Sequence, residues 1–117
     1  MTATELRDLL RAYRYGYSDE ATLQCCIAGV LDAHSVEFER EHRLDARNRL
    51  DFLVGSVGIE VKIGGSRNDL IRQLHRYAQF DAIGELLVVS SRMRLTSLPE
   101  ALNGKPIVSL ALLGGFA

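Results

Sequence analysis

A chain of 117 residues with 47% hydrophobic and 25% charged side chains has apolar material for one core, which excludes a disordered chain and a second recognition domain beside the first. The net charge of −1, from 14 Lys+Arg and 15 Asp+Glu, excludes coating of nucleic acid by bulk positive charge. It leaves room for an enzyme whose acids offset its cations.

In chain order, Thr4 is placed to cap a first helix whose apolar residues Leu6, Leu9, Leu10 and Tyr13 follow helical spacing, with Gly16 ending it. Ser18 is placed to cap a second helix to about Ala33, with Leu23, Cys26, Ile27, Val30 and Leu31 on its apolar face. The period then changes. Residues 35–43 alternate, with Val36 and Phe38 set between acids, and read as a strand. Residues 49–54 and 57–63 read as two more, joined through Gly55-Ser56 as a hairpin. After Gly64-Gly65, Ser66 opens a helix to about Asp81, buried along Leu70, Ile71, Leu74, Tyr77 and Ala78. The apolar run 85–91 suits a strand covered on both faces. Ser97-Leu98-Pro99 is read as opening a short helix closed by Asn103-Gly104, and 106–112 as a last, edge strand. The whole reads as one α/β domain over residues 1–117, a mixed sheet flanked by helices.

The chemistry concentrates in the hairpin. With its turn near Ser56, antiparallel pairing sets Asp51 opposite Glu60, on one face. Glu60 and Lys62 are two apart and share that face, while Ile59, Val61 and Ile63 point to the other. Opposed carboxylates repel, so one would hold a proton unless a cation sits between them. Lys62 supplies part of that charge and a divalent metal supplies more. Oxygen ligands with open positions favour Mg²⁺, with Mn²⁺ as substitute. Acid, acid and lysine in one place suit phosphodiester hydrolysis, where the ammonium orients water and offsets developing charge.

Asp51, followed after a short hairpin by Gly58-Ile59-Glu60-Val61-Lys62, resembles the core motif of the PD-(D/E)xK nuclease superfamily. Gln73 and Tyr77, four apart on the next helix, are similar to the glutamine and tyrosine of its RecB-like and phage-exonuclease branches. The VRR-NUC branch and the archaeal-type Holliday junction resolvases are similar in size and element order. The resemblance covers roughly residues 18–91 and implies a restriction-endonuclease-like core of order α-β-β-β-α-β. It implies that Asp51, Glu60 and the Val61 carbonyl bind Mg²⁺, that Lys62 is catalytic, and that Gln73 and Tyr77 position the lysine or the substrate. The proline that often precedes the family's aspartate is replaced by Leu50. Many members also carry a glutamate on the helix before the strands, and Glu20 is the candidate here. An acid in a first helical turn also favours the macrodipole without any metal, and both readings stand.

Arg67, Arg72 and Arg76 are the candidate DNA contacts on the same helix, against the plain alternative of a solvated face. Tyr13, Tyr15 and Tyr17 suit core packing at a helix end better than base stacking. Cys25 and Cys26 are adjacent, a spacing that suits neither zinc nor a disulfide framework, and His34 and His42 lack metal spacing. No apolar run marks a signal peptide or a membrane span, so a reducing cytoplasm is the expected location, and the short form suggests a phage-like origin. The expected activity is a Mg²⁺-dependent deoxyribonuclease, alone or as a homodimer or larger oligomer. A junction-resolving endonuclease and a catalytically silent module of the same fold are the alternatives.

Overall fold

The computed structural model describes residues 1–112. Three helices and six strands follow in the order α1 (Ala3–Arg11), α2 (Glu20–Ala33), β1 (Glu39–Arg43), β2 (Arg49–Val54), β3 (Val57–Lys62), α3 (Arg67–Tyr77), β4 (Glu85–Ser90), β5 (Ala101–Leu102) and β6 (Lys105–Ala111), with a 3-10 turn at Met93–Leu95. Residues 113–117, the end of the expected domain, lie outside the described residues.

The strands form one mixed sheet of order β1-β2-β3-β4-β6-β5. β1, β2 and β3 are antiparallel neighbours, β4 runs parallel to β3, and β6 runs parallel to β4. Each face is covered. α1 and α2 pack with Phe52, Val54, Val57, Ile59, Val61, Leu87 and Val89 on one side. Leu70, Leu74 and Tyr77 of α3 pack with Leu50, Leu86 and Val88 on the other. Parallel strands buried on both faces need no polar alternation, which is why β4 reads as an unbroken apolar run.

Both N-terminal caps sit beside the residues expected. Thr2, not Thr4, caps α1, because only Thr2 has a glutamate three residues on: Glu5 N–H donates to the Thr2 hydroxyl and Thr2 N–H to the Glu5 carboxylate. Asp19, not Ser18, caps α2 by accepting from Thr22 N–H at 2.7 Å. Ser66 caps α3 as its sequence suggests. α1 ends well short of Gly16; beyond it Tyr15 folds back, buried, and its hydroxyl donates to the Leu10 carbonyl.

β1 starts at Glu39 rather than residue 35, because the β2–β3 hairpin turns at Gly55 and leaves no residue of β2 beyond Leu53 and Val54 to pair with an earlier segment. Val36 and Phe38 still pack on the core, so their alternation records burial without pairing. The short helix expected over 97–103 is absent. Asn103 and Gly104 have φ of 51° and 73°, the two positive values of a type I′ hairpin turn, and they join β5 to β6. A helix of about five residues does not repay its nucleation, and pairing with β6 wins. The last strand is therefore not a simple edge: β6 lies between β4 and the two-residue β5.

Candidate active site

The site grows from an interruption in β2. Phe52 faces Ile59, Leu53 faces Gly58 and Val54 faces Val57. One more step of that register sets Asp51 opposite Glu60, but the pairing stops before it. On the other side of β2, Phe52 faces Arg40 and Leu50 faces His42, so Asp51 again goes unpaired where Glu41 adopts a left-handed φ of 52°. β2 also changes face here: Leu50 joins the apolar cluster under α3, whereas Phe52 and Val54 join the opposite one.

Side chains replace the missing ladder. The Val61 N–H donates to Asp51 Oδ2 at 2.7 Å, and the Asp51 N–H donates to Glu60 Oε1 at 3.3 Å. Each acid thus satisfies backbone on the other strand, and the two carboxylates meet where the strands part. Gly58 leaves room for this packing on β3. A Cβ there would meet Leu86 Cδ2 at 2.9 Å and Leu50 Cδ2 at 3.0 Å, so a larger residue would have to displace the ends of both leucine side chains.

Burial dominates the electrostatics. Glu60 is 3% exposed. Burial pushes its carboxyl well above the usual range, Asp51 pushes it further, and Lys62 pulls it back. The Asp51 carboxyl is raised as well, mainly by burial, against the lowering effects of the Val61 N–H and Lys62. Lys62 Nζ stands 4.0 Å from Glu60 Oε2 with its side chain partly open to solvent. One ammonium thus faces two acids that share too little solvent for both charges.

Glu20 reaches this group from α2. Burial raises its carboxyl, Lys62 lowers it, Asp51 raises it again, and the Ile63 N–H lowers it. It is the first residue of α2, where the macrodipole also favours an acid, so the two sequence readings of Glu20 coexist in one position.

From α3, Gln73 Nε2 donates to the Tyr77 hydroxyl at 2.8 Å. The single phenolic proton goes to the Arg49 carbonyl at 2.8 Å, with Glu60 Oε2 a polar neighbour at 3.5 Å. Burial raises the Tyr77 phenol, and Glu60 and Asp51 raise it further, so it stays protonated. Tyr77 therefore pins α3 to β2 two residues before Asp51. The pair is both an i,i+4 contact at the core border and a wall of the site.

The three arginines separate. Arg76 lines a cleft of about 230 Å³ together with Lys62, Gly64, Gly65, Ser66, Asp69, Leu70 and Gln73. Arg72 turns outward to pair with Asp69. The Arg67 guanidinium donates to the Ser97 carbonyl. Sequence reading overlooked Arg92 and Arg94, whose guanidinium groups donate to the carbonyls of Ile63 and Gly65 and so fasten the turn that follows Lys62. No local signal marks them, because their partners lie about 29 residues away. A second, more open concavity of about 710 Å³, between the end of α2, β1 and the β2–β3 hairpin, includes none of the site residues.

Cys25 and Cys26 are free thiols. Tyr13 pairs with His34, and His42 with Glu39. Among the described residues no three His, Cys, Asp or Glu side chains stand close enough to hold a metal ion by themselves, and no helix is long and apolar enough to cross a membrane. Comparison with protein-family models, with curated proteins and with solved structures found no match to this chain.

Proposed function

We propose that this chain is a divalent-metal-dependent nuclease of the PD-(D/E)xK type that hydrolyses DNA phosphodiesters at Asp51, Glu60 and Lys62. The observation that carries the reading is the fork in β2 and β3: two carboxylates with raised proton affinity, Asp51 accepting from the Val61 N–H and Glu60 from the Asp51 N–H, with an ammonium 4.0 Å from Glu60. Acids are seldom buried without a full set of partners, and here Glu60 is 3% exposed with one ammonium shared between it and Asp51. The succession α2, β1, β2, β3, α3, β4, with an antiparallel meander followed by a parallel strand, supports a restriction-endonuclease-like core.

The donor set fits a hard cation. Asp51, Glu60 and the Val61 carbonyl offer oxygen only, and a cation would offset the burial that raises both acids and the Asp51 charge that raises Glu60 further. Glu20 stands near enough to feel Asp51 and Lys62 and would add a further carboxylate. Mg²⁺, or Mn²⁺ in its place, would supply Lewis-acid polarisation of the phosphoryl oxygen and acidify a water. Lys62 orients the attacking water and offsets charge developing on the phosphoryl group. Tyr77, held protonated, fixes α3 against β2, and Gln73 brings an amide to the cleft beside Lys62. Of the three arginines of α3, Arg76 alone lines the cleft and is the one offered to the DNA backbone, while Arg72 is held by Asp69 and Arg67 by the Ser97 carbonyl.

The test is a cleavage panel of linear, single-stranded, flapped and four-way DNA, plus RNA, with Mg²⁺ and with Mn²⁺. Lys62→Ala and Asp51→Ala are expected to lose at least about a hundredfold in rate, as for loss of one charge-stabilising group, while circular dichroism stays native. Equal cleavage by either variant overturns the reading. Preference for the four-way substrate would assign a junction-resolving endonuclease, which needs a symmetric dimer for paired cuts. One observation favours a catalytically silent nucleic-acid-binding module instead: the missing three-acid cluster among the described residues. That reading requires no heat of binding on titration with Mn²⁺. The free thiols suit a reducing cytoplasm.

A further inference from the structure

Arg72 and Arg76 sit four apart on α3, yet their surroundings differ. Arg72 pairs with Asp69, with both side chains about two-thirds open to solvent. Arg76 instead turns to the β1–β2 turn, where its Nε donates to Asn48 Oδ1 at 3.2 Å. Asn48 is buried, at 9% exposure. Its amide nitrogen donates to both oxygens of Asp45, at 3.1 and 3.2 Å, and its backbone N–H donates to Asp45 Oδ1 at 2.8 Å. An ionised carboxylate only accepts, so the amide nitrogen must face Asp45 and the amide oxygen must face Arg76. The turn is fixed in its own right by Leu44 N–H donating to the Asn48 carbonyl at 2.8 Å.

This arrangement holds the guanidinium by one edge. Its terminal nitrogens make no protein hydrogen bond among the described residues, and the side chain lines the cleft that Lys62 enters from β3. At about 230 Å³ the cleft falls below the ~300–1,000 Å³ of pockets that enclose a drug-sized ligand, which suits a phosphate with part of its sugar rather than a buried base. Two cations from different elements reach it. Its one carboxylate, Asp69, is already engaged by Arg72 and by the Ser66 cap.

We propose that the cleft between Lys62 and Arg76 is a subsite for a backbone phosphate of the bound nucleic acid, with Arg76 as the clamp and Asn48 as the residue that positions it. Arg72 has no part in it. The proposal deepens the nuclease reading and rests on it for the identity of the ligand. The clamp itself is a binding device and can be measured without cleavage.

The experiment measures anisotropy of a short fluorescein-labelled DNA duplex, in EDTA, over a series of salt concentrations. It uses the full chain, Arg76→Ala, Arg76→Lys, Arg72→Ala, Asn48→Ala and the Asn48→Ala/Arg76→Ala double variant, each checked for an unchanged melting transition. Arg76→Ala is expected to weaken binding about tenfold and to flatten the log–log salt slope by about 0.9, the loss of one phosphate contact. Arg72→Ala stays within about twofold of the parent. Asn48→Ala weakens binding less than Arg76→Ala does, and the double variant binds no worse than Arg76→Ala, because Asn48 acts only through the arginine. Arg76→Lys retains the slope and recovers only part of the affinity, since a lysine lacks the Nε edge that Asn48 holds. Parent-like binding by Arg76→Ala, or additive losses in the double variant, overturns the proposal, as does absence of duplex binding by the parent. Weakened binding by Arg76→Ala together with no cleavage by the parent under Mg²⁺ or Mn²⁺ sustains the clamp and overturns the nuclease reading instead.

Discussion

Two carboxylates that share a buried fork make the protein's stability depend on their protons. Both acids bind a proton more tightly in the fold than in the unfolded chain, since burial disfavours their charged forms and the Asp51 charge further disfavours that of Glu60. Their contribution is therefore present at acid pH and is lost as pH rises from the ordinary carboxylate range through the raised values. Without divalent cations, the melting temperature is expected to fall steadily from pH 5 to pH 8. Glu60→Gln keeps the shape of the side chain and removes the charge. It is expected to flatten the profile and to gain about 1–2 kcal/mol over the parent at pH 8, read by thermal and urea unfolding. A parent profile that rises over that range contradicts this account of the acids. The patch of Asp51, Glu60 and Lys62 was legible in the hairpin because facing follows from period and turn position alone. Two further facts were not legible: the acids bond the backbone in place of the ladder, and Glu20 approaches them. Both depend on how far β2 and β3 part and on where α2 lies.

β3 shows how an element's composition can serve a neighbour. Its alternate residues Val57, Ile59 and Val61 face α1 and α2, while Gly58, Glu60 and Lys62 follow the side toward α3. Gly58→Ala would drive a methyl into Leu50 and Leu86, at a cost of about 1–3 kcal/mol, measurable as a shifted urea midpoint. No change in midpoint would mean that Leu50 has room to move. In sequence, Gly58 reads only as part of a motif. Its steric role depends on Leu50 crossing to the α3 side at the Asp51 interruption. The Asn103-Gly104 pair is the converse case: the dipeptide is a strong hairpin signal, but it was read with the helix-like Ser97-Leu98-Pro99 before it. Two residues of β5 paired with Lys105 and Pro106 outweighed that local start signal.

The chain has almost no net charge, so any hold on DNA comes from where its cations stand rather than from how many there are. The fold brings Lys62 and Arg76 to one cleft beside the turn that Arg92 and Arg94 fasten, while Asp32, Glu37 and Glu39 border a different concavity. A divalent cation that binds the folded chain alone must raise its global stability. At about a hundred times its Kd, Mg²⁺ or Mn²⁺ is expected to add about 2.7 kcal/mol, seen as a higher melting temperature. The Asp51→Asn/Glu60→Gln double variant should show no such gain. A parent that melts at the same temperature with and without the cation speaks for the silent module.

Sequence alone determined the β2–β3 hairpin, the ends of β2, the cap of α3 and the meeting of Asp51, Glu60 and Lys62. These follow from side-chain periodicity, turn geometry and capping, all of which act over a few residues. Packing across the chain settled the rest. It inserted β6 between β4 and β5, turned Leu50 to the other face, and divided three similar arginines into one in the cleft, one paired outward and one tied to a loop. Contacts between residues tens of positions apart decide such choices, and no local period encodes which distant partner a long, flexible cation will find.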